Sequence, residues 1–194
     1  MPVHEHRHPD HAIDPLFLNR WSPRAFTGEE IPDTVLEQGF EAARWAPSAR
    51  NVQPWRFVYV KRHAASWDGV FGLLNERNRL WAANASALIA VLSRTSYDDG
   101  TPILTHSFDT GAAWANFAHQ VLLSGWHTRA IGGFDRDGAR AVLGVPEGFS
   151  VEVLIAIGRQ AKADTMPEEF RPLEVPNGRL PLTAFVSEGV FAAP

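Results

Sequence analysis

The stretch Arg44-Trp45-Ala46-Pro47-Ser48-Ala49-Arg50-Asn51-Val52-Gln53-Pro54-Trp55 decides how this chain is read. Before it, residues 33–44 carry Val35, Leu36, Phe40 and Ala43 at helical spacing. After it, Phe57-Val58-Tyr59-Val60 has the character of a strand. Pro47 stops the helix, because it lacks an N–H and its ring crowds the preceding turn, and Pro54 stiffens the approach to the strand. Between the prolines, Ser48, Asn51 and Gln53 offer neutral hydrogen-bonding groups on a loop held between two regular elements, which suits a polar planar ligand. The same stretch also reads as an ordinary helix-to-strand connection with a tryptophan in the core, and the loop alone does not separate the two readings.

Working outward, Asp14 caps a short helix that has Pro15 at its first position, and Asp33 is the expected cap of the helix before the loop. Residues 64–84 read as one or two helical pieces. Residues 87–92 form a continuous apolar run of buried-strand type, and residues 98–102 a loop. The longest helical pattern spans residues 105–124, with Phe108, Ala112, Ala115, Ala118, His119 and Leu122 on one stripe. Its small residues Gly111, Ala112, Ala113 and Ala115 allow close approach of another helix. Gly125 ends it, a further helix is expected over residues 135–143, and residues 151–158 give the clearest strand. The proline-rich remainder, residues 159–194, is expected to wrap a neighbour. Helices and strands mix without strict alternation, which predicts an α+β layered domain. That domain is expected to occupy residues 13–194, with residues 1–12 a flexible His-rich tail.

Composition narrows the function. A chain of 194 residues is long enough for one domain with a sizeable core. Its net charge of −4 disfavours nucleic acid and anionic membranes as partners. With no cysteine there is no disulfide, catalytic thiol or thiolate metal site, which fits a cytoplasmic location. His4, His6, His8 and His11 make a metal-binding tail conceivable, but no second ligand set with defined spacing accompanies them, so a solvated arm is expected. No nucleophile elbow, no phosphate loop and no dinucleotide fingerprint is present. What remains is Arg20, Ser22 and Arg24, alternating just past a helix end, with Arg179 a distant partner. Together they can form a phosphate site or a solvated basic surface. Gly132-Gly133 can bring backbone N–H groups close to a ligand or simply turn the chain. No acid, base or nucleophile stands out, so a cofactor is expected to bring the chemistry.

These motifs, Arg20-Trp21-Ser22-Pro23-Arg24-Ala25-Phe26, the quoted loop, Ile131-Gly132-Gly133-Phe134 and Arg179-Leu180-Pro181, resemble in order and separation the nitroreductase family over residues 14–185. The resemblance implies a nitroreductase-like fold: a mixed β-sheet flanked by helices, and an intertwined homodimer with exchange of C-terminal arms. It implies FMN as cofactor and NADH or NADPH as electron donor. Hydride would pass through flavin N5 to a nitroaromatic, quinone or related electrophile by a ping-pong mechanism. Residue by residue, Arg20, Ser22 and Arg179 would hold the FMN phosphate, with Trp21 between the first two. Arg24 would lie near the ribityl chain or pyrimidine edge. Pro47, Ser48, Asn51 and Gln53 would come from the partner subunit, and Asn78, with Asn75 as a nearby competitor, would place an amide over the pyrimidine. Ile131, Gly132 and Gly133 would back the ring. Some relatives carry an acidic residue at Gly132 or Gly133 and a lysine near Asn78, so the resemblance leaves positive charge near the reduced flavin to Arg24 alone. Alternatives within this resemblance are an FMN-binding protein without turnover, flavin breakdown and reductive dehalogenation.

Overall fold

The computed structural model describes residues 3–191. Helix α1 (Pro15–Asn19) starts where Asp14 accepts a hydrogen bond from the Leu16 N–H. Helix α2 (Asp33–Arg44) carries Val35, Leu36, Gly39 and Ala43 on its buried face. Its cap is Pro32 rather than Asp33: Pro32 has extended backbone angles, and the Asp33 carboxylate pairs instead with Lys61 Nζ. Strand β1 (Trp55–Lys61), helices α3 (Trp67–Gly72) and α4 (Glu76–Ala82), and strand β2 (Ala87–Arg94) follow.

Helix α5 (His106–Leu123) leads into strand β3 (His127–Ile131), helix α6 (Arg136–Val142) and strand β4 (Phe149–Gly158). The four strands form one sheet in the order β1-β2-β4-β3, and every pair is antiparallel. The expected α+β class stands, but within this chain the sheet is antiparallel rather than mixed. Neighbouring strands enter from opposite ends, so no parallel crossover arises.

The central strands explain the apolar runs. Along β2, Leu88, Ala90 and Leu92 pack to one side with Trp81, Leu154, Ala156 and Phe170. Ala87, Ile89 and Val91 pack to the other with Leu36, Phe117, Val121 and Trp126. Side chains alternate between faces, and both faces are covered, so the strand is apolar throughout. Helices α2 and α5 cover the second face and press closely together. A Cβ at Gly39 would fall 2.6 Å from Phe117 Cε2, so that contact requires glycine.

The buried face of α5 differs from the expected stripe. Asp109, Thr110, Ala113, Phe117, Ala118 and Val121 face inward, whereas Phe108 is 82% exposed. The helix is apolar around most of its circumference, so periodicity does not select the face that meets the sheet. Strand β3 was absent from the sequence reading. No helix among the described residues is long and apolar enough to cross a membrane.

Candidate functional site

Two groups of residues come together in separate places. The first gathers where α1 ends. Arg20 Nη1 donates to Ser22 Oγ at 3.3 Å, leaving the serine proton free to donate outward. Burial, followed by repulsion from Arg179, lowers the Arg20 pKa. Arg7, which sequence reasoning had assigned to the tail, is buried at 9% exposure. Its pKa is lowered by burial, then by the Arg179 and Arg20 charges. No carboxylate forms an ion pair with Arg7, Arg20 or Arg179 among the described residues. Three cations that repel one another without an acid suit an anion.

Next along the chain, Trp21 is buried, so only its backbone can serve a ligand. Arg24 is fixed through its backbone. Its N–H and that of Ala25 donate to Glu174, which is 4% exposed, and Arg24 Nη1 donates to Leu173 O at 3.2 Å. Burial lowers the Arg24 pKa, Glu174 opposes this, and Arg77 adds to it. Arg129, on β3, sits beneath. It donates to Ser22 O, and its guanidinium lies 5.4 Å from the centre of the Trp81 ring. Burial, with the Arg24 charge and against the pull of Glu174, pushes its pKa down to about 10. Arg24 is therefore not the only cation in this region. Sequence reasoning missed Arg129 and Glu174, and an arginine alternating with apolar residues just before Ile131-Gly132-Gly133 was the available signal for Arg129.

The end of β3 meets the start of α4. The Asn75 N–H donates to Gly133 O at 3.2 Å and Asn78 Nδ2 to the same oxygen at 3.0 Å. Trp81 Nε1 donates to Asn78 Oδ1, so the Asn78 amide is used on both sides. Asn75 Oδ1 accepts from the Asn78 N–H, while Asn75 Nδ2 takes no protein acceptor among the described residues. A Cβ at Gly133 would lie 2.3 Å from Asn75 Nδ2; at Gly132 it would meet nothing within 4 Å. Ile131, just before them, is buried. The result is bare backbone at Gly132 beside one free amide donor.

The second group is the loop 47–53. Arg50, Asn51 and Gln53 all have left-handed backbone angles, with φ of 53°, 56° and 51°. Such strain in three non-glycine residues persists only where the surroundings enforce it. Ser48 Oγ accepts from the Gln53 N–H at 3.0 Å, and the Ala49 N–H donates to Asp109 Oδ2 at 3.1 Å. Pro47, Asn51 and Gln53 are exposed. No hydrogen bond or ring contact joins this loop to Arg20, Arg24, Gly133 or Arg179 among the described residues. The loop is tied to the first turn of α5. The cation group sits further along that helix, where Phe17 meets the His119 ring at 5.3 Å, and burial, with the Arg20 charge second, lowers the pKa of His119 and His127.

The chain belongs to the nitroreductase family, whose sequence profile matches residues 18–159. A solved structure described as an oxidoreductase containing FMN is 43% identical, covers 97% of each chain and superposes with a TM-score of 0.93. A Thermus thermophilus protein named NADH dehydrogenase is 27% identical over 81% of this chain and 90% of its own length. The nitroreductase family protein from Streptococcus pneumoniae, 21% identical over 89% of this chain and 98% of its own, shares the fold with a TM-score of 0.71.

Proposed function

We propose that this chain is an FMN-dependent oxidoreductase that takes hydride from NADH or NADPH and delivers it to a nitroaromatic, quinone or related electrophile in a ping-pong cycle. The observation that carries the reading is the gathering of Arg20, Ser22 and Arg179 with no ion-paired carboxylate among the described residues, joined through the Arg129 bond to Ser22 O to the strand that runs into the bare backbone of Gly132-Gly133. A flavin phosphate is a near-dianion, and each charge-assisted hydrogen bond to it is worth about 1.5–3 kcal/mol. Likeness to the FMN-containing oxidoreductase over almost the whole chain supports the same assignment.

Bound FMN would supply hydride chemistry that no side chain here provides. The protein's part is to bind, orient and polarise. Arg20, Ser22 and Arg179 would take the phosphate. Arg24, with Arg129 beneath it, would set positive charge at the pyrimidine edge, where charge develops on reduction. Ile131, Gly132 and Gly133 would support the ring and offer an N–H near N5. Asn75 Nδ2, the unspent donor, would serve the ligand, while Asn78 braces the Gly133 carbonyl.

Pro47, Ser48, Asn51 and Gln53 would line the flavin of a second copy. Among the described residues no hydrogen bond or ring contact joins their loop to the cation group of its own chain. Leu104, 91% exposed in the turn before α5, and Phe108 on the outer face of that helix supply apolar surface for such a pairing. The C-terminal arm, with Leu180, Phe185, Val190 and Phe191 exposed, would embrace the same partner.

The reading is tested by reconstituting the purified protein with FMN and measuring stoichiometry and mass together. One FMN per chain on a species of twice the 21.5 kDa chain mass is expected. A protein that takes up no FMN at micromolar concentration would overturn it.

A further inference from the structure

The N-terminal segment is pinned at one residue. Arg7 Nε donates to Asn177 O at 2.9 Å, and Arg7 Nη1 donates to Leu18 O at 2.8 Å and Arg20 O at 2.7 Å. One guanidinium thus fastens the end of α1, the residue after it and the C-terminal arm. Those are the segments that carry Arg20 and Arg179. Arg7 Nη2 has no protein acceptor among the described residues. Arg7 and Arg179 also line a common cavity of about 560 Å³ between residues 6–18 and 178–185. Placing a third cation against two others raises the electrostatic cost of the fold; Asp10 lines the same cavity, but among the described residues no carboxylate forms an ion pair with the three that offsets it. An anion with several acceptor oxygens would.

We infer that Arg7 is a third phosphate-binding arginine, which presents Nη2 beside Arg20 and Arg179 to a phosphate monoester and makes the N-terminal segment a clasp over that end of the cofactor. The ligand class is a phosphate monoester on a flavin, and the inference rests on the FMN reading above. Binding would order the clasp, because the anion relieves the repulsion that Arg7 meets from its two neighbours.

The test compares FMN with riboflavin, which lacks the phosphate, on the full-length protein and on Arg7→Gln, Arg7→Lys and Arg20→Ala. Arg7→Gln should weaken FMN binding about tenfold or more and leave riboflavin binding within about twofold of the parent, since one charged hydrogen bond is lost. Arg7→Lys, which keeps the charge but not the fork, should fall between. Unchanged FMN affinity in Arg7→Gln, or an equal fall for both flavins, would overturn the inference and leave Arg7 a structural staple. If Arg20→Ala also fails to alter the preference for FMN over riboflavin, the phosphate site itself is misassigned. If only the Arg7 variants are silent, only the clasp is lost.

Discussion

The Ala49 N–H donates to Asp109 Oδ2 at 3.1 Å, which ties the strained loop to a buried carboxylate in the first turn of helix α5. Asp109 is 4% exposed and also accepts from Thr105 Oγ1 at 2.9 Å. Its carboxylate therefore serves the helix and the loop at once, and the left-handed angles at Arg50 and Asn51 follow directly after the tie. Replacing Asp109 by Ala removes the buried acceptor of two donors and should cost about 2–4 kcal/mol. Chemical denaturation reads the loss, and amide exchange should show it concentrated in residues 48–53.

Adjacent glycines should behave differently. Gly133→Ala puts a methyl group 2.3 Å from Asn75 Nδ2, so Asn75 must move and its cap on α4 is disturbed. A loss of about 1–3 kcal/mol and weaker FMN binding are expected. Gly132→Ala meets nothing within 4 Å and should fold with near-parent stability. Thermal unfolding of the two variants, side by side, checks the contrast.

His127 makes stability depend on pH. Burial, with the Arg20 charge second, pushes its pKa down to about 4, from 6.5 in an exposed chain. Its Nδ1 is buried and has no hydrogen-bond partner among the described residues. The unfolded chain binds a proton near pH 6.5, and the folded chain does not until about pH 4. Stability should therefore be full above pH 6.5 and decline as pH falls toward 4, by at most about 3 kcal/mol from this ring. Urea unfolding at pH 7 and pH 5 should show the decline in the parent and a smaller one in His127→Phe.

The pairing surface is open to a single substitution. Phe108 lies 82% exposed on α5, and no core residue depends on it. Phe108→Glu should leave the chain folded but shift it from dimer toward monomer in sedimentation, with FMN binding weakened in parallel. An FMN-loaded, folded monomer would separate the site from the dimer.

Much of this architecture is legible residue by residue. Pro15 behind Asp14, the helical spacing of Val35 to Ala43 and the apolar runs of β2 and β4 all lead to the elements they form. Strand β3 escaped because it is five residues long, mixes His127, Thr128 and Arg129 with two apolar residues, and exists through its pairing with β4. The site shows the same division. Arg20, Ser22 and Gly133 lie in local motifs. Asp109, Glu174 and Arg7 act across separations of 60, 150 and 170 residues, so nothing near them in the chain announces their partners. The inward face of α5 was hidden for another reason: with apolar residues all round, only the sheet decides which side is buried.

The most direct test of the oxidoreductase assignment is an anaerobic titration of the FMN-loaded protein with NADH and with NADPH, followed in the visible flavin band. The account predicts that at least one nicotinamide bleaches the band in a two-electron step, and that a quinone or nitroaromatic then restores it after excess donor is removed. Flavin that stays oxidised with both donors, in a protein that binds FMN tightly, would contradict it and leave a flavin-binding protein without turnover.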